Sequence, residues 1–321
     1  MDNKKIKQLQ AGDQLQSFFL IKAADRKTTS NNKTYLDLTL VDQTGEINAK
    51  LWDYNSEEGE QYIPNTLVKV KGSVTEWQNK LQLKIDKIRV AIEEDKLDIG
   101  DFVPVAPYSP EFMYAEIESY IHKIKHPDIH KIVASLVATH KEKLLLYPAA
   151  KQNHHAVRSG LMYHIMTMLR MGEKVCEIYT KLNKDLLFAG VILHDIAKTA
   201  EMNASELGIV SEYTIEGELL GHIIQGIKMI EKTATELEAD PEVSLLLQHM
   251  ILSHHYEPDF GSPKRPMIPE GEILHYLDMM DARMYDMHKV LSNVEEGKLS
   301  EKVWLLENRK LYKAAVQKEW E

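Results

Sequence analysis

The apolar residues of this 321-residue chain change their spacing near Val90, and that change constrains the fold more than any single motif. Up to Val90 they alternate. Leu36, Leu38 and Leu40 share one strand face, the turn Asp42-Gln43-Thr44-Gly45 follows, and Ile47, Ala49 and Leu51 alternate again. Leu67, Val68 and Val70 start another strand, and a hairpin through Gln78-Asn79-Lys80 leads to Leu81, Leu83 and Ile85. Some five short strands with polar turns suit a small closed barrel, and the OB-fold is the economical choice. Tyr35, Lys50 and Trp52 point outward, with Trp77 near the later hairpin. Aromatics among lysines on such a barrel suit stacking on single-stranded bases; the plainer alternative is that Trp52 and Trp77 cover the barrel ends.

Beyond Val90 the chain first turns acidic (Glu93-Glu94-Asp95) and then carries Pro104, Pro107 and Pro110 in a short span, so 93–110 reads as a linker. Ser109-Pro110-Glu111 is a helix start, with a capping hydroxyl and a proline at the first helical position. The spacing after it predicts helices over 110–125, 128–146, 160–181, 184–197, 215–238, 241–255, 270–291 and 299–318. The expected organisation is a multidomain chain: an all-β OB-fold barrel (1–92), the linker, and an all-α helical bundle (111–321) that closes with a C-terminal helix.

Composition removes several alternatives. The single Cys176 excludes a disulfide framework and any cysteine-based zinc site. No long apolar run offers a membrane span, and the first residues lack the apolar stretch of a secretory signal, so a cytoplasmic protein with no membrane partner is expected. The formal charge of -10 is unevenly spread: residues 1–90 carry 14 Lys+Arg and 12 Asp+Glu, the remainder 25 and 37. A nucleic-acid surface is therefore expected in the first ninety residues. The acidic excess elsewhere does not exclude a phosphodiester substrate, because bound metal ions invert the local electrostatics.

The helical half carries an ordered series of metal-ligand residue types. His164 comes first, the pair His194-Asp195 follows, then His222, His254-His255, Asp278 and Asp281. All but the two adjacent pairs and the two aspartates fall on separate expected helices, which is how a bundle builds a metal site from inward side chains. Taken singly, each has an ordinary explanation, a core histidine or a surface pair. Several independent ordinary explanations account poorly for one ordered series. In Ala189-Gly190-Val191-Ile192-Leu193-His194-Asp195 an apolar run ends in two polar groups, and a charged Asp195 there is costly unless it is paired or bound to metal. Asp278 and Asp281, three apart, share a helix face. Asp278 directly follows apolar Tyr276-Leu277 and is favoured as the ligand, which leaves Asp281 as the alternative or as the group that orients a ligand.

The order resembles the HD-domain superfamily of metal-dependent phosphohydrolases, over roughly residues 120–290. His164 matches the first histidine, His194 and Asp195 the name-giving pair, and Asp278 the final aspartate. The additional His222 and His254-His255, with Lys198 three after Asp195, resemble the binuclear branch. With a barrel ahead of it, the whole chain resembles the YhaM-type 3′→5′ exoribonucleases of Gram-positive bacteria. The residues that carry this likeness are Asp42-Gln43-Thr44-Gly45-Glu46-Ile47, Leu51-Trp52-Asp53, His154-His155-Ala156, Gly160-Leu161-Met162-Tyr163-His164, Leu193-His194-Asp195-Ile196-Ala197-Lys198 and Asp278-Met279-Met280-Asp281-Ala282-Arg283. Two positions depart from it: Ala197, where many HD sites have glycine before the lysine, and Ser159, where related sequences often have a second glycine.

That resemblance implies hydrolysis of phosphodiester bonds at the 3′ end of single-stranded RNA, with single-stranded DNA as a further substrate, by one or two divalent ions and in a homo-oligomer. Asp195 would bridge the ions and act with Lys198 in catalysis. His164, His194 and Asp278 would complete one ion site, and His222 with His254 and His255 the other. His155 and Arg158 would grip the terminal nucleotide, while Tyr35, Lys50, Trp52 and Trp77 hold the strand. Imidazole plus carboxylate suits manganese, iron or zinc, and the resemblance implies manganese. Two rival readings use the same residues: a phosphodiesterase or nucleotidase acting on a small or cyclic nucleotide, which leaves the barrel unexplained, and a non-catalytic OB-fold binding protein.

Overall fold

A computed structural model describes residues 4–29, 31–52, 54, 59–78, 80–151 and 155–316. Asp53, Asn79 and His154, all named above, lie outside the described residues. The chain divides into two compact units, 1–105 and 106–321, each with its own core.

The first unit is a closed five-stranded barrel in the order β1-β2-β3-β5-β4. Its strands are β1 (Gln14–Thr28), β2 (Thr34–Asp42), β3 (Gly45–Leu51), β4 (Leu67–Trp77) and β5 (Lys80–Val90). The long β1 closes it: its first half pairs antiparallel with β4 and its second half with β2, while β3 and β5 run parallel. The alternation fills the interior, with Leu36, Leu38, Leu40, Ile47, Ala49, Leu51, Val68, Val70, Leu83 and Ile85 all buried. Leu81 departs from its expected place and stays exposed near the β4–β5 hairpin. Residues 93–105 belong to this unit. Asp95 takes a two-pronged grip from Arg89 at 2.7 Å, and Lys5 pairs with Asp101 at 2.5 Å.

The second unit is helical: α1 (Pro110–Lys123), α2 (Pro127–Thr139), α3 (Lys141–Leu144), α4 (Gly160–Ile178), α5 (Lys184–Leu193), α6 (Lys198–Glu201), α7 (Ile215–Glu236), α8 (Pro241–Ser253) and α9 (Pro269–Leu291). The starts are chemically explicit. The Ser109 hydroxyl accepts the Phe112 N–H, Asn183 accepts from Asp185 and Leu186, and Pro110, Pro127, Pro241 and Pro269 open their helices. Every residue of α5 from Leu186 to Leu193 is buried. A helix apolar on all sides has to be central, so the pair that follows it is delivered to the middle of the bundle.

Three expectations are corrected. The helix read over 184–197 ends at Leu193 and gives way to a turn before α6. A short antiparallel ribbon, β6 (Met202–Ala204) with β7 (Val210–Tyr213), follows α6 and was not anticipated. The C-terminal helix over 299–318 is absent among the described residues. Glu307 and Asn308 both have φ of 58°, left-handed geometry that a right-handed helix cannot hold. The chain reverses there instead, and Ser300 N–H donates to Leu311 O and Val303 N–H to Arg309 O. Among the described residues no helix is long and apolar enough to cross a membrane.

Candidate metal centre

Asp195 sits in the turn that follows α5, with its two carboxylate oxygens facing different partners. Oδ2 lies 3.4 Å from His194 Nε2 and 2.7 Å from Lys198 Nζ. Oδ1 lies 3.4 Å from His222 Nε2 and 4.0 Å from His254 Nε2. On the Oδ2 side, His164 Nε2 is 3.2 Å from His194 Nε2 and 3.3 Å from Asp278 Oδ1. His255 stacks edge-on against both His222 and His254. His164, His194 and His254 are fully buried and Asp195 is 2% exposed.

The outer nitrogens decide which way each imidazole lone pair points. His194 Nδ1 donates to Val191 O and His254 Nδ1 to Ile251 O; His255 Nδ1 donates to Phe260 O. A carbonyl can only accept, so those Nδ1 atoms carry the hydrogen and each Nε2 presents a lone pair. His222 Nδ1 meets Glu201 Oε1 at 3.2 Å, and His164 Nδ1 meets Asp281 Oδ2 at 2.7 Å, with the same consequence. Asp195 Oδ1, His222 Nε2 and His254 Nε2 are buried acceptors with no hydrogen-bond partner. Such groups are costly unless a cation completes them.

Charge leads to the same conclusion. Asp195, Asp278, Asp281 and Glu201 each touch one of these histidines, and among the described residues Lys198 is the only lysine or arginine in an ion pair with any of the four. Burial, the largest influence on Asp195, works to raise its carboxyl, but Lys198 and His194 hold it well below the usual range. Burial works the same way on Asp281 and is overcome by His155 and His164, which bring it to about 2. Burial would depress His164, yet its bonds to Asp278 and Asp281 push it up to about 10: the two carboxylates draw onto this ring a positive charge that a bound cation would otherwise supply, leaving Nε2 its lone pair. Burial first, and then the neighbouring His255 and His194, drive His254 well below its ordinary value, the state of a neutral donor. The donor set fits divalent ions: bonds of about 2.0–2.2 Å place neighbouring ligand atoms roughly 3.0–3.5 Å apart, close to most of the separations found here.

Local backbone geometry builds this arrangement. Gly221 interrupts α7 with φ 65° and ψ 170°, a conformation in effect restricted to glycine. The break frees the His222 N–H to donate to Glu201 Oε1 at 2.9 Å, so one carboxylate holds both the backbone and the ring of His222. Before α4, Ser159 has φ 61°, and a Cβ on Gly160 would lie 2.0 Å from His155 O. The tight loop explains why glycine would suit position 159.

Residues 161–283 match the family model of the HD domain, and residues 22–91 match that of the OB-fold nucleic acid binding domain. The barrel is an OB-fold, and the helical unit is an HD domain. The HD domain indicates a metal-dependent phosphohydrolase, and its His/Asp clusters are consistent with a divalent metal. Among solved structures, the chain is similar to the second OB-fold domain of replication protein A from Methanococcus maripaludis, with 21% identity, 28% of this chain and 94% of that one covered, and a TM-score of 0.24. It is also similar to the protein PriB from Ralstonia solanacearum, with 13% identity, 25% and 100% covered, and a TM-score of 0.22. A mitochondrial single-stranded DNA binding protein from S. cerevisiae matches with 16% identity, 26% and 97% covered, and a TM-score of 0.22.

Around the HD domain centre, the expected residues fall into three groups. His164, His194, Asp195, His222, His254, His255 and Asp278 converge, with Lys198 on Asp195. Asp281 stands behind His164 and also accepts from His155 Nε2 at 2.6 Å. His155, expected to grip the terminal nucleotide, is 1% exposed and packs on Tyr163 and Tyr285. Arg158 is half-buried, with its Nε donating to Glu206 O. Glu201 went unnoticed in the sequence; no spacing rule connects it to His222, and only the Gly221 break brings the two together.

On the OB-fold, Tyr35 and Trp52 stack at 4.5 Å with 28° between their planes, and Lys50 Nζ lies 5.3 and 5.8 Å from the two ring centroids. Trp77 is 66% exposed in a groove with Leu81, Gln82, Asn48 and Lys80. Neither tryptophan belongs to the barrel core.

Proposed function

We propose that this chain is a 3′→5′ exoribonuclease that removes nucleotides from single-stranded RNA, with single-stranded DNA as a second substrate, using manganese. The observation that carries the hydrolytic part is the convergence of imidazole lone pairs and carboxylate oxygens on both sides of Asp195. The exposed Tyr35–Trp52 stack with Lys50 supports a strand-holding role for the OB-fold, since bases stack on such rings without regard to sequence. Polarity, RNA preference, manganese and a homo-oligomeric state rest on the resemblance to the YhaM-type enzymes.

In this reading His164, His194, Asp195 and Asp278 hold one divalent ion, and Asp195, His222, His254 and His255 a second. When bound, the ions supply an acidified water nucleophile and neutralise charge building on the phosphoryl group. Asp195 keeps the two halves in register through its two oxygens. Lys198, 12% exposed at its side chain beside Asp195, offers ammonium hydrogens to a non-bridging phosphate oxygen. Asp281 and Glu201 lock the rings of His164 and His222, and His155 holds Asp281 in place; these three are positioning residues.

Purified chain with manganese and single-stranded RNA labelled at one end or the other tests the proposal. Stepwise shortening from the 3′ end is expected. Hydrolysis of small nucleotides without RNA cleavage would replace it with the nucleotidase reading, and binding without any hydrolysis with the non-catalytic one.

A further inference from the structure

The acidic helical unit contains a group of cations that no carboxylate neutralises. Lys143 Nζ donates to Thr199 O at 2.8 Å, Lys151 Nζ to Ser211 O at 3.2 Å, and Arg158 Nε to Glu206 O at 3.3 Å. Among the described residues none of the three is in an ion pair. Several other cations of the unit are ion-paired: Arg170 with Glu116, Lys123 and Lys184 with Glu173, Arg265 with Glu257, Arg283 with Glu307. A carbonyl satisfies a donor but leaves the positive charge uncompensated. Three such charges on one segment, where Asp+Glu outnumber Lys+Arg by 37 to 25 over residues 91–321, make a local field for an anion.

All three cations hold the stretch that runs from α6 through the β6–β7 ribbon. Thr199 is the residue after Lys198. The ribbon itself starts directly after Glu201, the carboxylate on His222, and Met202 pairs with Tyr213. Thr214 fastens the far end, its N–H on Glu201 O at 2.8 Å and its hydroxyl on Ala200 O at 2.9 Å. Tyr213 is therefore fixed beside the metal centre, 37% exposed, with Lys151 Nζ 5.9 Å from its ring centroid. A flat ring next to an ammonium matches a base next to its phosphate.

We infer that Lys143, Lys151, Arg158 and Tyr213 form a track for the backbone of a single nucleic-acid strand beside the metal centre, the three cations on phosphates and Tyr213 stacked on a base. An acidic peptide would use the cations but has no use for the ring. This inference rests on the phosphohydrolase reading for its meaning, not for its test.

The test is binding of fluorescently labelled single-stranded RNA to the full chain, read by anisotropy over a salt series in EDTA. Trp52→Ala and Trp77→Ala are present in every sample to reduce the OB-fold contribution. The triple variant K143Q/K151Q/R158Q keeps a donor for each carbonyl while removing the charge, and its melting temperature checks the fold. The slope of log affinity against log salt should fall by about 2, at roughly 0.7 for each single-strand phosphate contact. Tyr213→Ala should weaken binding roughly tenfold, within the range for one stacked base. An unchanged slope overturns the track, and so does displacement of the RNA by poly-glutamate at equal charge concentration. A chain that binds this way but hydrolyses no phosphodiester with manganese would remove the phosphohydrolase reading and leave the track standing.

Discussion

Asp195 works through having two oxygens that cannot be replaced separately. Asp195→Asn preserves the shape and removes the charge that Oδ1 and Oδ2 present to His222 and His194. Hydrolysis should fall to background, metal content by elemental analysis should drop, and binding of single-stranded RNA should be retained. Persisting hydrolysis with ordinary metal dependence would place the chemistry elsewhere. Glu201 makes a sharper case, because it touches no ion in the proposed arrangement. With the backbone N–H and Nδ1 of His222 both on Oε1, Glu201→Gln keeps one acceptor and loses the charge that stiffens the ring. Metal affinity measured by calorimetry should weaken roughly 10- to 100-fold. An unchanged affinity would reduce Glu201 to a packing residue.

At the scale of elements, α7 is two helices joined by a glycine break, and the break serves His222. Gly221→Ala forces a Cβ into φ 65°, ψ 170°, at a cost of about 1–3 kcal/mol, read as a lower urea midpoint. If the helix straightens to avoid that strain, the His222 N–H returns to the helix ladder and metal affinity falls as well. The α1–α4–α5 seam carries a pH dependence away from the metal. Glu173 on α4 is held below its ordinary 4.5 by Lys123 first and then, against burial, by Tyr120 and Lys184. A depressed carboxylate stabilises the fold fully above that ordinary value and loses the contribution as pH falls through the folded-state value. Glu173→Gln should therefore cost about 0.5–1 kcal/mol near neutrality, discounted for partial exposure, and progressively less in acid, by urea titration at several pH values. What the sequence disclosed follows from the same physics. Strict alternation exposed the barrel, and an all-apolar run ahead of His194 marked a central helix, because burial on one face or on all faces leaves a periodic trace. The helix expected over 299–318 failed because Lys, Glu and Leu suit a helix locally, while the left-handed pair Glu307-Asn308 is set by the buried Leu306 and Leu311 on either side. The contact of Glu201 with His222 and the pairing of Asp281 with His155 were illegible because the partners lie in distant segments that only folding brings together, whereas the local β6–β7 ribbon has strands of three and four residues, too short for alternation to show.

Among the described residues the molecule has two cores that share no buried residue, one in the barrel and one in the bundle, and every proposed ligand lies in the unit that holds the second. Binding stabilises only the unit whose folded form holds the ligand, by RT ln(1 + [L]/Kd), or about 2.7 kcal/mol at a hundredfold excess over Kd. Calorimetry of the full chain should accordingly resolve a metal-sensitive transition and a metal-insensitive one. Manganese should raise the first and EDTA return it, while Asp195→Asn makes it indifferent to both. Trp52→Ala should leave both transitions near their places, since Trp52 stands outside the barrel core, yet weaken the hold on long single strands more than the turnover of short ones. A uniform rise of both transitions with manganese would mean that the ion acts on the barrel too, and the assignment of the whole metal site to the helical unit would then be wrong.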